Sequence, residues 1–169
     1  MADGAPVADE AWIARQLAFA NKQFAALDVE WAIVGSDQLP ESAARVEDAA
    51  ERDSFGKLVK GKVVHVFVTG QLDDIDTPGA VAYGVTWRRG DTKYVILSTQ
   101  AWERTLAHEL GHVFGLPHST HPISIMNKTP RTEPPPEERR FADEELAAMK
   151  RRLAQIVKAK VLVDVGVGL

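Results

Sequence analysis

The eleven residues from His108 to His118, read His108-Glu109-Leu110-Gly111-His112-Val113-Phe114-Gly115-Leu116-Pro117-His118, constrain this chain more than any other stretch. The spacing predicts a helix over residues 105–114. On a helix, positions i and i+4 lie about 40° apart, so the imidazoles of His108 and His112 face the same way. Gly115 tolerates a positive φ and Pro117 forbids the helix from continuing, so the chain leaves the axis here and folds back. That return carries His118 toward the other two. On the chain's own residue frequencies such a pattern arises by chance with a probability of roughly 10⁻⁵, which sets aside three unrelated histidines.

Three neutral imidazole nitrogens at about 2.0 Å suit a tetrahedral Zn²⁺ and leave its fourth position to water, the arrangement of a catalytic rather than a closed structural site. Glu109 follows the first ligand directly. It points off the metal axis yet close to that water, where a carboxylate serves as general base. The chain has no cysteine, which removes disulfide scaffolds, thiolate zinc sites, iron-sulfur clusters and thiol nucleophiles; any metal must use histidine or carboxylate. Twenty Lys and Arg against 24 Asp and Glu give a net charge of -4, so no basic excess points to nucleic acid or an anionic membrane. No apolar run approaches the roughly 20 residues of a membrane span. Asp3, Asp9 and Glu10 stand where a signal peptide would be basic and then apolar. The 169 residues, 45% of them hydrophobic, suit one domain over 1–169 with one sizeable core, residues 1–8 being a flexible lead-in and 161–169 an apolar tail of open fate.

Along the chain, Ile13, Leu17, Ala20, Phe24 and Leu27 form one stripe behind Asp9, which predicts an amphipathic helix over 9–27 with Asp9 as its cap. Val29, Trp31 and Ile33 alternate with Glu30 and Ala32 as in a short strand, and 41–52 reads as helix. Lys62 to Thr69 is apolar on both faces and reads as a central strand. Leu72 to Gly79 is a turn, followed by strands at Ala80 to Trp87 and Lys93 to Thr99 about Gly90-Asp91. Thr129 to Arg140 holds four of the nine prolines and reads as a loop; Asp143 to Lys158 returns to helix.

The segment HELGHVFGLPH resembles the metzincin zinc endopeptidases at every fixed position of their extended motif, and Ser119 after it is similar to the matrixin branch. The resemblance implies an α+β fold: a single domain with a five-stranded twisted mixed sheet, one antiparallel edge strand and three main helices. It implies one catalytic Zn²⁺ held by His108, His112 and His118, with Glu109 activating the zinc-bound water to hydrolyse peptide bonds. It implies a methionine turn at Ser124-Ile125-Met126-Asn127, Met126 lying under the ligands as a soft apolar floor. Some branches add a Tyr ligand two residues after that Met; Lys128 stands here instead, so water alone would complete the coordination. A propeptide cysteine blocking the metal is excluded by composition. The implied setting is secreted or extracellular, and the expected form is a monomer acting on a protein or peptide substrate.

In that family a peptide adds to the antiparallel edge strand, here about Ala80 to Trp87. Tyr83, Gly84 and Trp87 are then candidates to shape the cleft; the plainer reading makes the two aromatics ordinary strand residues. The loop after Met126 would wall the pocket beyond the scissile bond, with Lys128 and Arg131 favouring acidic substrate groups or simply facing solvent. Asp73, Asp74 and Asp76 suit Ca²⁺ in one reading and an ordinary Asp-rich turn in the plainer one. His65 reads as a core histidine and His121 as a residue at the cleft rim. Two alternatives stay open: Glu133 in place of His118 as third ligand, and an inactive zinc-containing module that binds peptides without cleaving them.

Overall fold

A computed structural model of the chain describes residues 5–166. Residues 1–4 of the expected lead-in and 167–169 of the expected tail lie outside the described residues. Helix α1 spans Glu10–Phe24, with the Asp9 carboxylate accepting the Trp12 N–H at 2.6 Å as the expected cap. A turn of 3₁₀ helix at Ala25–Leu27 ends it, and Asp28 adopts a left-handed conformation at φ 55°. Strand β1 is Arg45–Val46, and helix α2 is Ala49–Ser54. Strands β2 (Val66–Thr69), β3 (Gln71–Leu72), β4 (Gly84–Arg89) and β5 (Thr92–Ser98) follow, then helix α3 (Thr105–Val113) and helix α4 (Asp143–Ala159). The class is α+β in one domain, with the long helices α1 and α4 beside the shorter α3 and α2.

The strands number five, but they do not form one five-stranded ladder. Strands β2, β5 and β4 make a mixed sheet in that order, β2 parallel and β4 antiparallel to β5, while β1 and β3 pair in parallel as a separate ribbon. The break falls at Gly70. Before it the chain pairs with β5; after it Gln71 donates to Ala44 O at 3.0 Å and joins β1. A Cβ on Gly70 would stand 2.9 Å from Ala44 O, so the switch needs glycine. Strand β4 is the antiparallel edge, as the resemblance implied.

Three local expectations are corrected. Residues 29–34 form no strand: the Trp31 N–H and C=O bond the Asn21 side chain at 2.7 and 3.1 Å, which satisfies the backbone without a ladder and leaves Ile33 and Val34 exposed. The 41–52 helix is a 3₁₀ turn at Glu41–Ala43, then β1, then α2, because the Asp48 carboxylate caps Glu51 N–H while Glu51 reaches back to Glu47 N–H. Strand β2 is shorter than expected and lies at a sheet edge, its Val66 exposed; β5 is central, with Tyr94 to Leu97 essentially inaccessible.

Because β5 is covered on both faces, it separates two apolar layers. Val95 and Leu97 face α1, α3 and α4, where Phe24 meets Trp31, Phe114 and Phe141 edge to face at 5.3–5.5 Å between ring centres. Tyr94 and Ile96 face the other layer with Phe55, Phe67, Val46 and Leu72. Of the tail, Leu162 packs against the first layer and Val163 N–H donates to Lys62 O at 2.8 Å, so this end of the chain returns to the body of the fold. Among the described residues no helix is long and apolar enough to cross a membrane.

Candidate metal centre

Helix α3 is short, apolar on its inner side, and held at both ends. At its start the buried Gln16 of α1 accepts the Leu106 N–H at 3.1 Å and donates to Trp102 O at 2.9 Å, capping a helix whose own N-cap residue makes no side-chain bond. At its end Gly115 takes φ 90° and Leu116 N–H bonds Gly111 O, which swings the chain back as expected. Nothing lies within 4 Å of where a Cβ on Gly115 would sit, so conformation rather than space demands glycine there.

The two helical imidazoles are locked through their inner nitrogens. His108 Nδ1 lies 2.8 Å from Ile125 O and His112 Nδ1 lies 2.7 Å from Leu116 O. A carbonyl only accepts, so each Nδ1 carries the proton and each Nε2 presents a lone pair. Those Nε2 atoms approach to 3.1 Å, and with His118 the three ligand atoms lie within 4.8 Å of one another. Ligands about 2.0–2.1 Å from a tetrahedral ion stand about 3.3 Å apart, so the first two are at coordinating distance and the exposed His118 needs a small swing. Burial lowers all three pKa values, His108 to about 4, with the neighbouring histidines adding to the effect there. The trio is therefore neutral near pH 7, the state a metal requires, and the residues fit zinc. It is the one grouping of this kind among the described residues; Glu133 is not part of it.

Glu109 is 4% exposed, and burial pushes its carboxyl up to about 7, opposed by hydrogen bonding from Thr86. The Thr86 hydroxyl lies 2.9 Å from Glu109 Oε2 and 2.7 Å from Glu109 O. Thr86 escaped the sequence reading, since a threonine in a strand is unremarkable and only the packing of β4 on α3 brings it here. Gly84 permits that packing: a Cβ there would lie 2.7 Å from Thr105 Cγ2, 2.9 Å from Leu97 Cδ2 and 3.2 Å from Glu109 Cγ.

Met126 is fully buried in a turn whose Asn127 N–H bonds Ser124 O, and its sulfur would lie 2.6 Å from a Cβ on Gly111. Ser124 anchors that turn. Its hydroxyl is 2.7 Å from both carboxylate oxygens of the buried Glu145 on α4, and it accepts the Met126 N–H. Arg131 holds the same stretch by donating to the carbonyls of Pro122, Ser124, Asn127 and Thr129, so its guanidinium is occupied by main chain rather than left to solvent. The loop as far as Arg139 is braced in turn by Arg139, which donates to Pro134 O and Arg131 O.

The other singled-out residues fall elsewhere. Trp87 lies on the far side of the sheet, its indole N–H on Asp53 at 2.7 Å and the Arg52 guanidinium over its ring. Tyr83 is half-exposed beside Trp102. Asp73 is engaged by Arg45 and Gln71, and Asp74 accepts from the Asp76 and Thr77 N–H groups of its turn. His65 takes the Lys60 N–H on Nε2, with its buried Nδ1 unpaired, and His121 is exposed.

Comparison with protein-family models matches residues 8–151 to the matrixin family, a span that runs from the lead-in of α1 into α4 and includes the whole site. The chain belongs to the matrixin family. A search of curated proteins finds no match. Membership supplies a peptidase scaffold for the histidine cluster.

Proposed function

We propose that this matrixin is a zinc-dependent endopeptidase with His108, His112 and His118 as ligands and Glu109 as its general base. The observation that carries the reading is the convergence of three neutral imidazoles within 4.8 Å, next to a buried carboxylate with a pKa near 7. When bound, zinc would supply a Lewis acid that lowers the pKa of a water molecule toward about 7 and polarises a carbonyl oxygen. Glu109 accepts the proton of the attacking water and returns it to the departing amine, a role that favours a carboxyl tuned close to the working pH. Met126, in its turn below Gly111, acts as the apolar floor that a methionine turn provides, and Ser124, Glu145 and Arg131 keep that floor in place. The free edge of β4 takes an extended peptide by main-chain hydrogen bonds.

The test pairs metal analysis with digestion of a mixed peptide library. The wild-type protein should carry one zinc and cleave. Glu109→Gln should keep the metal and lose at least about 10²-fold in kcat. His118→Ala should lose zinc retention. Zinc bound by a protein that cleaves nothing would favour the second reading, a module that holds peptides on β4 without hydrolysing them.

A further inference from the structure

We propose that Thr86 is the positioning residue that holds the Glu109 carboxylate in its working orientation, and that it does so from the strand on which substrate docks. The inference rests on the endopeptidase reading above and deepens it.

Among the described residues Thr86 is the one hydrogen-bond partner of the Glu109 carboxylate, at 2.9 Å from Oε2. The carboxylate torsion of a glutamate is broad and roughly two-fold, so packing alone leaves its oxygens free to turn; a directed O–H donor removes that freedom. Threonine suits the task because its branched Cβ limits χ1, which fixes the hydroxyl relative to the strand. The same hydroxyl lies 2.7 Å from Glu109 O, so its single proton is shared between backbone and side chain of one residue. Gly84, two residues earlier and on the same strand face, presses against the stem of that glutamate, its missing Cβ leaving 3.2 Å to Cγ. Strand β4 thus touches Glu109 twice.

The register joins this contact to substrate. Ser98 N–H donates to Tyr83 O, which marks Tyr83 and Ser98 as a hydrogen-bonded pair of the antiparallel ladder. Bonded and open pairs alternate along such a ladder, so Gly84, Thr86 and Arg88, opposite Leu97, Val95 and Lys93, turn their main-chain N–H and C=O toward the free edge. An extended peptide added there bonds the main chain of Thr86 while the side chain of Thr86 holds the base. One residue therefore ties the docked peptide to the orientation of Glu109.

Thr86→Val keeps the branched shape and the strand and removes the hydroxyl donor, leaving only the main-chain N–H of residue 86 near the carboxylate; Thr86→Ser keeps the hydroxyl. Thr86→Val should lower kcat about 10- to 100-fold, since a misplacement near 1 Å costs about that much, with KM within about threefold and with zinc content and melting temperature close to wild type. Thr86→Ser should return kcat to within about threefold of wild type. A wild-type kcat in Thr86→Val, or a loss that Thr86→Ser does not restore, overturns the proposal. If Thr86→Val fails to fold, Thr86→Ala takes its place under the same criteria. A second readout needs no turnover: side-chain scalar couplings of Glu109 in the metal-free protein should report one rotamer in wild type and Thr86→Ser, and averaging in Thr86→Val. If wild type cleaves no peptide the endopeptidase reading falls, and the couplings still decide whether Thr86 holds Glu109: unchanged couplings in Thr86→Val overturn the positioning itself.

Discussion

Glu109 shows what a buried carboxyl does to the fold that carries it. In an unfolded chain it titrates near 4.5; folded and without metal it titrates at about 7 because burial disfavours the charged form. Between those values the folded state binds more protons than the unfolded one, so stability from this group is full below pH 4.5 and is lost as pH rises through 7. His108 works in the opposite sense over nearly the same window, its folded value of about 4 against 6.5 making stability rise with pH. Comparing metal-free wild type with Glu109→Gln cancels the histidine contribution. The variant should gain up to about 2–3 kcal/mol on wild type between pH 4.5 and 8, measured by denaturant unfolding at each pH. A difference that stays flat with pH would show that Glu109 is not buried in this way. The three histidines and Glu109, the proposed ligands and base, were legible in sequence because a single helix and its broken end carry them all. Thr86 was not, because its bond to Glu109 spans 23 residues and depends on how a strand meets a helix.

At the scale of elements, the site depends on how closely α3 approaches β4. Both Thr105 Cγ2 and Leu97 Cδ2 stand within 3.0 Å of where a Cβ on Gly84 would be, and both belong to short, packed side chains with little room to yield. Gly84→Ala should therefore push strand and helix apart, cost about 1–3 kcal/mol by overpacking, and loosen the Thr86–Glu109 bond as well. The check is a lowered melting temperature together with reduced kcat; an unchanged protein would mean the sheet absorbs a methyl group here. Elements whose signals were local are present, with shifted bounds: α1 with its Asp9 cap ends at Phe24 in a 3₁₀ turn, the β4–β5 hairpin turns about Gly90 but β4 starts at Gly84 rather than Ala80, and α3 is ended by Gly115. The alternating segment at Val29 to Ile33 did not become a strand. Alternation predicts which faces are apolar but not whether a partner edge is within reach, and here Asn21 reaches the backbone of Trp31 first.

At the scale of the whole molecule, the metal would be a cross-link. The histidines proposed to hold it come from α3 and from the returning segment, while Ile125 O, which accepts from His108, belongs to a turn tied to α4 through Ser124 and Glu145. Zinc binding should thus stabilise the entire domain, by about 4 kcal/mol when free zinc exceeds its Kd a thousandfold. For a chain of this length that corresponds to a melting temperature roughly 10 °C higher than after chelation, followed by calorimetry with and without added zinc. Equal melting temperatures would show that the histidines do not bind the ion in the folded state.

By itself the sequence determined the cluster of three histidines, the carboxylate beside it and the bend that brings the third imidazole round, since all of these follow from spacing within eleven residues and from the backbone limits of one glycine and one proline. Tertiary structure alone decided that the parallel pairing changes partner at Gly70, that β5 rather than β2 lies at the centre, and that Thr86 meets Glu109. Those outcomes turn on which surfaces face each other across long separations in the chain. Local propensity and periodicity carry no information about that choice; the burial of β5 between two apolar layers makes it.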